Sequence, residues 1–489
     1  MIEKWLDPSM KLIFELQNIE YCKMFGIPFV EQRDISVSKG GNQFKFAFYT
    51  EISEYQQINN AKSKNLEELG LSINDNVYIV PKGALITSFK DNFTEKLAFS
   101  CEISTQSIYS RDIVLDQEYF YRYIIPIGNA DINYRDFHSY RFDLYFQDKK
   151  TAPIDLLKVF SNNKEYHFWK TKIQDINYLI IDSTQTCNFN EMDKISLSIL
   201  VSYGFLSGVI HLSEAYIIAS NEPFFQNPKG LYYKGLRNTI KGQYTIFTTN
   251  AYSVLVPIAK NICPEDGETR VIEIIKKKWV NKIDCFNEKV FSSLVEIINN
   301  YEAICRAAMM TVEASKFSID IQLATYCVAF ETICKIIMKK CDLKPPTVIQ
   351  KDIWDTILKP QFDHTINKLR GENILNKEQL EFIQNKVNSF NQPTNKDTLM
   401  QPFIKLGYNL SQRELECIKY RNLSLHGILP VKEHEDEIDK LFYTNLVMHK
   451  LCCVLILKLV GFDGYIINNV KLYEQNIKKK INECGFLKI

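Results

Sequence analysis

The residues best suited to chemistry lie together near the end of one predicted helix, in the segment Arg421-Asn422-Leu423-Ser424-Leu425-His426. An imidazole titrates near neutral pH, so His426 can accept a proton and return it. An arginine side chain presents a planar fork of N–H donors, so Arg421 can hold two oxygens of a phosphate group. The segment is therefore suited to proton transfer beside an anionic group.

The surrounding sequence predicts where this helix begins and ends. Ser411 and Glu414 have the spacing of a capping box, in which each side chain bonds a free backbone N–H at the helix start. Gly427 is typical of the position just past a helix end, and Pro430 opposes continuation. We therefore predict a helix over residues 411–426.

The angles around this helix limit how Arg421 and His426 can cooperate. At about 100° per residue, His426 lies about 40° from Asn422 but about 140° from Arg421. A single regular helix therefore cannot bring Arg421 and His426 onto one small ligand, whereas unwinding at Gly427 or a second copy of the chain can. The alternative is structural, since a histidine near a helix end often belongs to the core or a cap, and an arginine there favours the helix dipole.

Glu331 is a second candidate, because it lies within an apolar helical stripe. That stripe consists of Cys327, Phe330, Cys334 and Met338. A buried carboxylate in this position needs a partner, and Arg421 is a natural one. Alternatively, Glu331 flanks the stripe and its carboxylate reaches water. Both interpretations are compatible with the sequence.

The elements that position these residues follow a change of pattern near residue 265. Before it, β-branched and aromatic runs with period two are broken by Gly, Asn and Asp. The predicted strands are 44–49, 77–80, 119–125, 140–146, 178–181 and 244–247, and one helix is predicted at 195–206 near Gly208. This pattern predicts a β-rich domain over residues 1–265, with two packed sheets and a few helices.

After residue 265 the apolar period becomes that of helices. Helices are predicted at about 270–314, 318–341, 376–390, 411–426 and 433–460. The segment 343–374, which opens with two prolines, has no firm assignment. We therefore predict an α+β protein, with a β-rich domain at 1–265 followed by an all-α helical bundle at 266–489.

Composition and charge exclude several classes of protein. The 59 Lys and Arg residues nearly balance the 58 Asp and Glu residues, which excludes a histone-like or polybasic-tail protein. Residues 271–489 are mildly basic, with 31 Lys and Arg against 26 Asp and Glu, and this favours an anionic partner for that half. No phosphate-binding loop, dinucleotide fingerprint, HExxH or GxSxG motif is present.

The cysteines indicate neither disulfides nor a metal site. The 13 cysteines include no CxxC pair, and Cys327, Cys334 and Cys341 recur every seven residues, as small core residues on one helix face do. No histidine has a metal-ligand spacing with a cysteine or another histidine. The start of the chain predicts no secretory leader, and the longest apolar stretch, 451–460, is interrupted by Lys458 and too short to span a bilayer. We expect a cytoplasmic protein with reduced thiols, no metal and no membrane.

The segment 421–426 resembles the Rx4–6H signature of the HEPN superfamily, in its RNxxxH form. It lies late in the predicted bundle, before one more long helix, as the motif does in that family. Together with the large β-rich region before it, the chain resembles ApeA-type abortive-infection proteins. These combine an ApeA N-terminal domain with a C-terminal HEPN domain, and the resemblance covers nearly the whole chain, although only the hexapeptide is specific.

The resemblance implies a metal-independent endoribonuclease without a cofactor. RNA supplies the nucleophile in its 2′-hydroxyl, so the protein needs a proton-transfer group, His426, and a cation for the phosphorane, Arg421. Asn422 orients His426 or donates to the phosphate, and Glu331 is the supporting residue. Tyr420 either stacks on an RNA base or is an ordinary packed aromatic residue. The expected products carry a 2′,3′-cyclic phosphate and a 5′-hydroxyl.

The resemblance also implies partners. In the family the site is composite, since motifs from two protomers meet across a homodimer interface, which would resolve the angle between Arg421 and His426. The substrate is then RNA, either tRNA or mRNA, and the N-terminal domain senses or regulates, with a phage-derived trigger. The alternative is a non-catalytic HEPN-type module in which the helices only dimerise and the β domain binds a ligand.

Overall fold

The structure is a computed structural model that divides the chain into two compact units. Unit 1 comprises residues 1–316, 464–472 and 482–488, and unit 2 comprises 317–463, 473–481 and 489. The structure describes residues 3–26, 34–51, 68–74, 76–93, 97–130, 134–147, 149–150, 154–262, 267–279, 281–344, 347–372, 374–393, 395–425, 435–474, 481 and 483–489.

The described strands all belong to unit 1. They are β1 Glu3–Trp5, β2 Tyr21–Phe25, β3 Ile35–Gly40, β4 Gln43–Glu51, β5 Leu69–Ile73, β6 Asn76–Val80, β7 Leu85–Phe93, β8 Leu97–Thr105, β9 Ser107–Ser110, β10 Phe120–Gly128, β11 Tyr140–Phe146, β12 Lys149–Lys150, β13 Ile154–Ser161, β14 Lys164–Ile173, β15 Ile176–Ser183, β16 Val209–Ile210, β17 Glu214–Ser220, β18 Pro228–Gly235, β19 Ile240–Lys241, β20 Tyr465–Ile467 and β21 Phe486–Lys488. The predicted strands at 44–49, 77–80, 119–125, 140–146 and 178–181 are therefore present.

Antiparallel pairing joins most of these strands. β10 pairs with β15 on one side and with β17 on the other. From β15 the ladder continues through β14 and β13 to β11. From β17 it continues through β18, β9, β6 and β5 to β2. The first residues of β2 pair instead with β3, which leads to β4, β8 and β7, so β2 is shared by two sheets.

The core of these sheets follows the alternation seen in the sequence. Phe44, Phe46 and Phe48 of β4 are all buried, while the residues between them are less buried. Successive side chains of a strand point to opposite faces, so the three phenylalanines enter one core. Helix α1, Asp7–Gln17, buries Met10 and Ile13 in the same core.

Further helices complete unit 1: α2 Phe189–Ser207, α3 Ala251–Ile262, α4 Gly267–Lys278, α5 Glu288–Asn300, α6 Glu302–Glu313 and α14 Asn469–Leu472, with 3₁₀ turns at Tyr134–Asp136 and Ala314–Lys316. The predicted helix at 195–206 lies within α2, which is capped at its end by Gly208 in a left-handed conformation, φ 85°. Without a Cβ, glycine adopts that conformation at no steric cost.

Two predictions for this part of the chain are wrong. The single helix predicted over 270–314 is three helices, because Asn287 caps α5 with its side chain and Tyr301 is extended between α5 and α6. The strand predicted at 244–247 is absent. Its apolar side chains are buried, but the N–H groups of Ile246 and Phe247 donate to the carbonyl of Leu206 at the end of α2.

The division between the units falls after residue 316, whereas the sequence predicts a boundary after 265. The reason is packing. α5 lies against β13, where the N–H of Phe160 donates to the hydroxyl of Ser292 at 3.0 Å, and both α5 and α6 pack on α2. These helices therefore belong with the sheets.

Unit 2 is helical. Its helices are α7 Ile319–Lys340, α8 Lys351–Ile353, which continues through a π-helical segment Trp354–Leu358 into α9 Lys359–Gly371, then α10 Lys377–Phe390, α11 Asn395–Leu406, α12 Gln412–Leu425 and α13 Glu435–Leu459. Helix α11 and the helix within 343–374 were not predicted. α7, α11, α12 and α13 pack together as a bundle, and Trp354, Ile366, Leu380 and Val387 form a separate small core.

A β-rich N-terminal region followed by a helical C-terminal region confirms the predicted α+β class. The predicted helices at 318–341 and 376–390 correspond to α7 and α10, and those at 411–426 and 433–460 correspond to α12 and α13. Residues 426–434, between α12 and α13, lie outside the described part of the chain.

Candidate functional site

The helix that carries the RNLSLH segment begins at the predicted capping box. The N–H of Glu414 donates to the Ser411 hydroxyl at 3.3 Å, and the N–H of Ser411 donates to the Glu414 carboxylate at 2.7 Å. Both hydrogen bonds of the capping box are present, so the start of α12 is stabilised as the sequence predicts.

Glu414 also joins α12 to α13. Lys450 lies 2.9 Å from its carboxylate, and both side chains are almost fully buried. The Tyr408 hydroxyl donates to the same carboxylate at 2.9 Å. Burial alone would raise the pKa of Glu414, but the Lys450 charge and the bonds from Ser411 lower that pKa below its usual value. The carboxylate is therefore ionised at neutral pH and orients the first turn of α12.

At the other end of α12, Arg421 pairs with Glu331 of α7. The distance between Arg421 Nε and Glu331 Oε1 is 2.8 Å. The arginine side chain is 7% exposed and the glutamate side chain 27%. The pairing expected from the sequence is thus present, while the partial exposure of Glu331 also agrees with the alternative that it reaches water. The ion pair lies where solvent reaches one of its two members.

Two buried thiols, Cys327 and Cys334, interact electrostatically with this ion pair. Burial raises the pKa of Cys327 to about 12, although the Arg421 charge opposes the rise. Burial likewise raises the pKa of Cys334 well above its usual value, and Arg421 again acts in the opposite direction. Both cysteines are therefore neutral core residues, as their seven-residue spacing predicts.

Tyr420 is half-buried, one residue before the arginine. The ammonium group of Lys440, on α13, lies 4.8 Å from the centre of its ring. A cation at that distance from an aromatic ring is attracted to its face. The packed-aromatic interpretation of Tyr420 therefore has a defined partner, and the base-stacking interpretation stays a prediction.

The two other predicted site residues, Asn422 and His426, lie partly or wholly outside the described structure. Asn422 lies on α12 by its backbone, and its side chain is outside the described part of the structure. His426 itself lies outside the described residues. The structure therefore brings together Arg421 and Glu331, and the described part of α12 ends at Leu425, one residue before the histidine.

His449 is a buried histidine of the described part of the bundle and has a structural role. It lies on α13, 3.7 Å from the Cys453 sulfur and edge-on to the Tyr326 ring. Burial lowers the pKa of His449 to about 3, so the imidazole is neutral at pH 7. A histidine held neutral in this way cannot supply a proton near neutrality.

The Glu414–Lys450 pair is the feature that sequence reasoning missed. Glu414 was predicted only as a cap, and Lys450 sits between buried residues of α13. The available signal was the lysine itself, because a charge within an apolar helical stripe requires a partner.

Within the described residues, no three His, Cys, Asp or Glu side chains group as a metal site. The 12 described cysteines are all free thiols. Two described helical stretches, Ile319–Lys340 and Ile438–Leu459, are long and apolar enough to cross a membrane. They pack against each other, and 50% of the apolar window of the first and 83% of that of the second are buried, so core packing accounts for the composition of the second.

Comparison of the chain with protein-family models, with curated proteins and with solved structures finds no match.

Proposed function

We propose that the protein is a metal-independent endoribonuclease of the HEPN superfamily, of the ApeA abortive-infection type. The observation that carries the proposal is the Arg421–Glu331 ion pair at the end of α12. The first residue of the RNLSLH motif is a buried arginine whose Nε lies within ion-pair distance of a carboxylate from the neighbouring helix. A phosphate-binding arginine needs that kind of preorganisation, since its geometry must be set before RNA arrives.

In the proposed reaction, His426 accepts the proton of an RNA 2′-hydroxyl as that oxygen attacks the adjacent phosphorus. The P–O5′ bond breaks, and the protonated imidazole returns a proton to the leaving 5′-oxygen. Arg421 stabilises the added charge on the phosphorane oxygens, and Asn422 orients His426 or donates to the phosphate. Glu331 acts through Arg421 as a positioning residue. The products are a 2′,3′-cyclic phosphate and a 5′-hydroxyl, and no metal or cofactor takes part.

The proposal includes a homodimer through the helical unit. On a regular helix, positions 421 and 426 point about 140° apart. A twofold interface places two copies of the same helix end opposite each other, so that the Arg421 of one copy can work with the His426 of the other. Each copy then supplies half of two equivalent sites.

In the cell, the proposed role is defence against phage by cleavage of tRNA or mRNA in the cytoplasm. Unit 1 restrains the ribonuclease until a phage-derived trigger is sensed. Its buried histidines favour regulation over chemistry, because burial lowers the pKa of His167 and of His211 to about 4. Neutral, buried imidazoles are poor acid–base groups at pH 7.

The test is incubation of the purified protein with total tRNA or mRNA in the presence of EDTA. Wild type should cleave, and His426→Ala should cleave about 10²–10⁴-fold more slowly, the usual loss on removing a general acid–base group. His364→Ala is the matched control, since His364 belongs to α9, outside the motif. Activity that disappears with EDTA and returns with Mg²⁺ would overturn the proposal. Dimerisation without cleavage of any RNA would favour the non-catalytic module.

A further inference from the structure

We infer that unit 1 carries a surface that binds single-stranded RNA, separate from the RNLSLH motif. The inference rests on the proposed function, under which RNA is the polyanion that this protein binds. The surface, called here the lysine–aromatic surface, consists of Trp279, Lys282, Tyr465 and Lys488, and the three lysines that end α4, Lys276, Lys277 and Lys278, come directly before it in the sequence.

The first part of the surface follows the end of α4. The last turn of α4 is Lys276, Lys277 and Lys278, all exposed, followed by a half-buried Trp279 whose N–H donates to the Ile275 carbonyl at 2.9 Å. Asn281 then adopts a left-handed conformation, φ 72°, which turns the chain back. Lys282 follows, and its ammonium lies 5.1 Å from the centre of the Trp279 ring.

The second part comes from the far end of the sequence. In the β20–β21 hairpin, Tyr465 lies directly opposite Lys488, and the lysine ammonium is 5.6 Å from the tyrosine ring centre. The Trp279 ring meets Tyr465 edge-on, with ring centres 5.5 Å apart. Lys282 lies 5.3 Å from the same tyrosine ring, so segments far apart in sequence join in one cluster.

A buried residue anchors the cluster to the unit. Phe486 of β21 is 4% exposed, and its ring centre lies 5.2 Å from that of Trp279. The two outer rings, Trp279 and Tyr465, stay half-buried, whereas Lys282 and Lys488 are exposed. The Trp279 ring therefore contacts a buried phenylalanine, and two exposed lysines place their ammonium groups 5.1–5.6 Å from the centres of the outer rings.

The charge of this region is positive although that of the whole chain is nearly balanced. Residues 270–284 contain five Lys and Arg residues and two acidic residues, Glu273 and Asp284. Lysines in the last turn of a helix also stabilise its dipole, but that role needs neither the rings nor Lys282 and Lys488. Ammonium groups around aromatic rings suit single-stranded RNA, because the phosphates meet the lysines and the bases have faces that stack on the rings.

The experiment measures binding without cleavage. The probe is a short fluorescein-labelled RNA whose 2′-hydroxyls are methylated, so it cannot undergo attack by a 2′-oxygen. Its affinity for the full chain is followed by anisotropy over a range of salt concentrations. The test variant changes Lys278, next to Trp279, and the two ring-contacting lysines, Lys282 and Lys488, to Glu. The matched control changes three other exposed lysines of unit 1, Lys11, Lys82 and Lys229, to Glu.

The test variant should raise the Kd by about tenfold or more. It should also reduce the slope of log Kd against log salt by about 0.7 for each phosphate that the protein no longer neutralises. The control should change the Kd much less. RNA should also quench the fluorescence of wild type more than that of Trp279→Phe, a substitution that keeps an aromatic ring. Equal weakening in test and control variants, or wild-type binding by the test variant, would overturn the inference.

Three further outcomes separate this inference from its alternatives and from the proposed function. If wild type binds vesicles containing phosphatidylserine through the three lysines changed in the test variant but does not bind the RNA probe, the surface is a membrane contact and the inference is wrong. If the probe binds as expected but natural RNA is never cut, the proposed ribonuclease fails while the RNA-binding surface stands. If RNA is cut and the test variant still binds the probe normally, only the surface fails.

Discussion

The Arg421–Glu331 pair joins α12 to α7, and in the proposed mechanism the same contact also positions a group that acts on the phosphate. The buried arginine needs a counter-charge, and Glu331 provides it from α7 at 2.8 Å. Because Glu331 is partly exposed, the pair also faces the environment from which a phosphate would arrive. A guanidinium presents a fork of N–H donors that can hold two phosphate oxygens, whereas a lysine ammonium of the same charge cannot.

We predict that Arg421→Ala abolishes most cleavage and that Arg421→Lys does not restore it. Loss of a group that stabilises the charge of a transition state typically costs about 10²–10³-fold in kcat. A lysine lacks the fork of donors, so its charge alone is insufficient. The measurement is the single-turnover rate of RNA cleavage.

The control for this prediction is Arg413→Ala, an exposed arginine in the first turn of the same helix. It should leave the rate near that of wild type. Full activity of Arg421→Lys would show that charge without bidentate geometry is enough, and full activity of Arg421→Ala would remove Arg421 from the mechanism.

Helix α12 is joined to its neighbours by an ion pair near each of its ends. Glu414 joins its start to α13 through Lys450, and Arg421 joins its end to α7 through Glu331. Helices of the bundle could slide or rotate if apolar contacts alone held them, whereas paired charges specify one arrangement. The position of the motif relative to α7 therefore depends on a contact about two turns away from it.

We predict that Glu414→Gln destabilises the protein near neutral pH and that its effect shrinks on acidification. The pKa of Glu414 is lowered in the folded protein, so its carboxylate stabilises the fold above the unfolded pKa of about 4.3, and this stabilisation is lost as pH falls through the native pKa. Removing one partner of a buried pair costs about 3 kcal/mol.

Urea unfolding of wild type and variant at neutral pH and at about pH 4 measures this difference. Glu416→Gln is the control, because Glu416 lies on the same helix outside the pair and should change the free energy of unfolding by less than about 0.5 kcal/mol. A Glu414→Gln effect that grows as pH falls would contradict the assigned direction of the pKa shift.

The elements also show what could be predicted from the sequence. The alternation of Phe44, Phe46 and Phe48 and the capping box at Ser411 are local signals, and both features are present. The apolar residues 244–247 also looked like a strand, but their backbone bonds go to the end of a helix distant in sequence. Local periodicity cannot reveal such a partner, because it records only which side chains are buried.

In the candidate site, too, some contacts could be predicted from the sequence and one could not. The motif and the Arg421–Glu331 partnership could be predicted, since a helical stripe with one carboxylate requires a cation. The Glu414–Lys450 pair was missed, because a capping glutamate already had a sufficient local explanation.

The chain does not divide into its two compact units near residue 265, where the apolar pattern of the sequence changes, but after residue 316. The helices between residues 267 and 316 belong to unit 1, and so do two segments after the bundle, 464–472 and 482–488. Unit 1 thus contains the last strands of the chain as well as the first. A truncation at residue 265 would cut through a packed unit, so substitutions are better probes of regulation than deletions.

We predict a homodimer with composite sites, and mixing of variants provides a sharp test. Arg421→Ala and His426→Ala should each be inactive alone. If the two residues of a site come from different copies, a heterodimer of these variants contains one complete site and one empty site. Mixed and re-equilibrated protein should therefore regain cleavage, and its mass should be twice 57.1 kDa.

The control mixes His426→Ala with further His426→Ala protein, which should stay inactive. If the mixed variants form dimers of that mass but recover no activity, the two residues do not act across the interface. A fully active monomer at all concentrations would remove the dimer from the proposal altogether.

The most direct test of the central claim is the chemistry at the ends of the cut RNA, produced in EDTA by wild type and by His426→Ala. Attack by the 2′-hydroxyl leaves a 2′,3′-cyclic phosphate on one fragment and a 5′-hydroxyl on the other. We expect those ends from wild type and no fragments above background from His426→Ala. Fragments with 5′-phosphate and 3′-hydroxyl ends, or the same fragments from both proteins, would contradict the account.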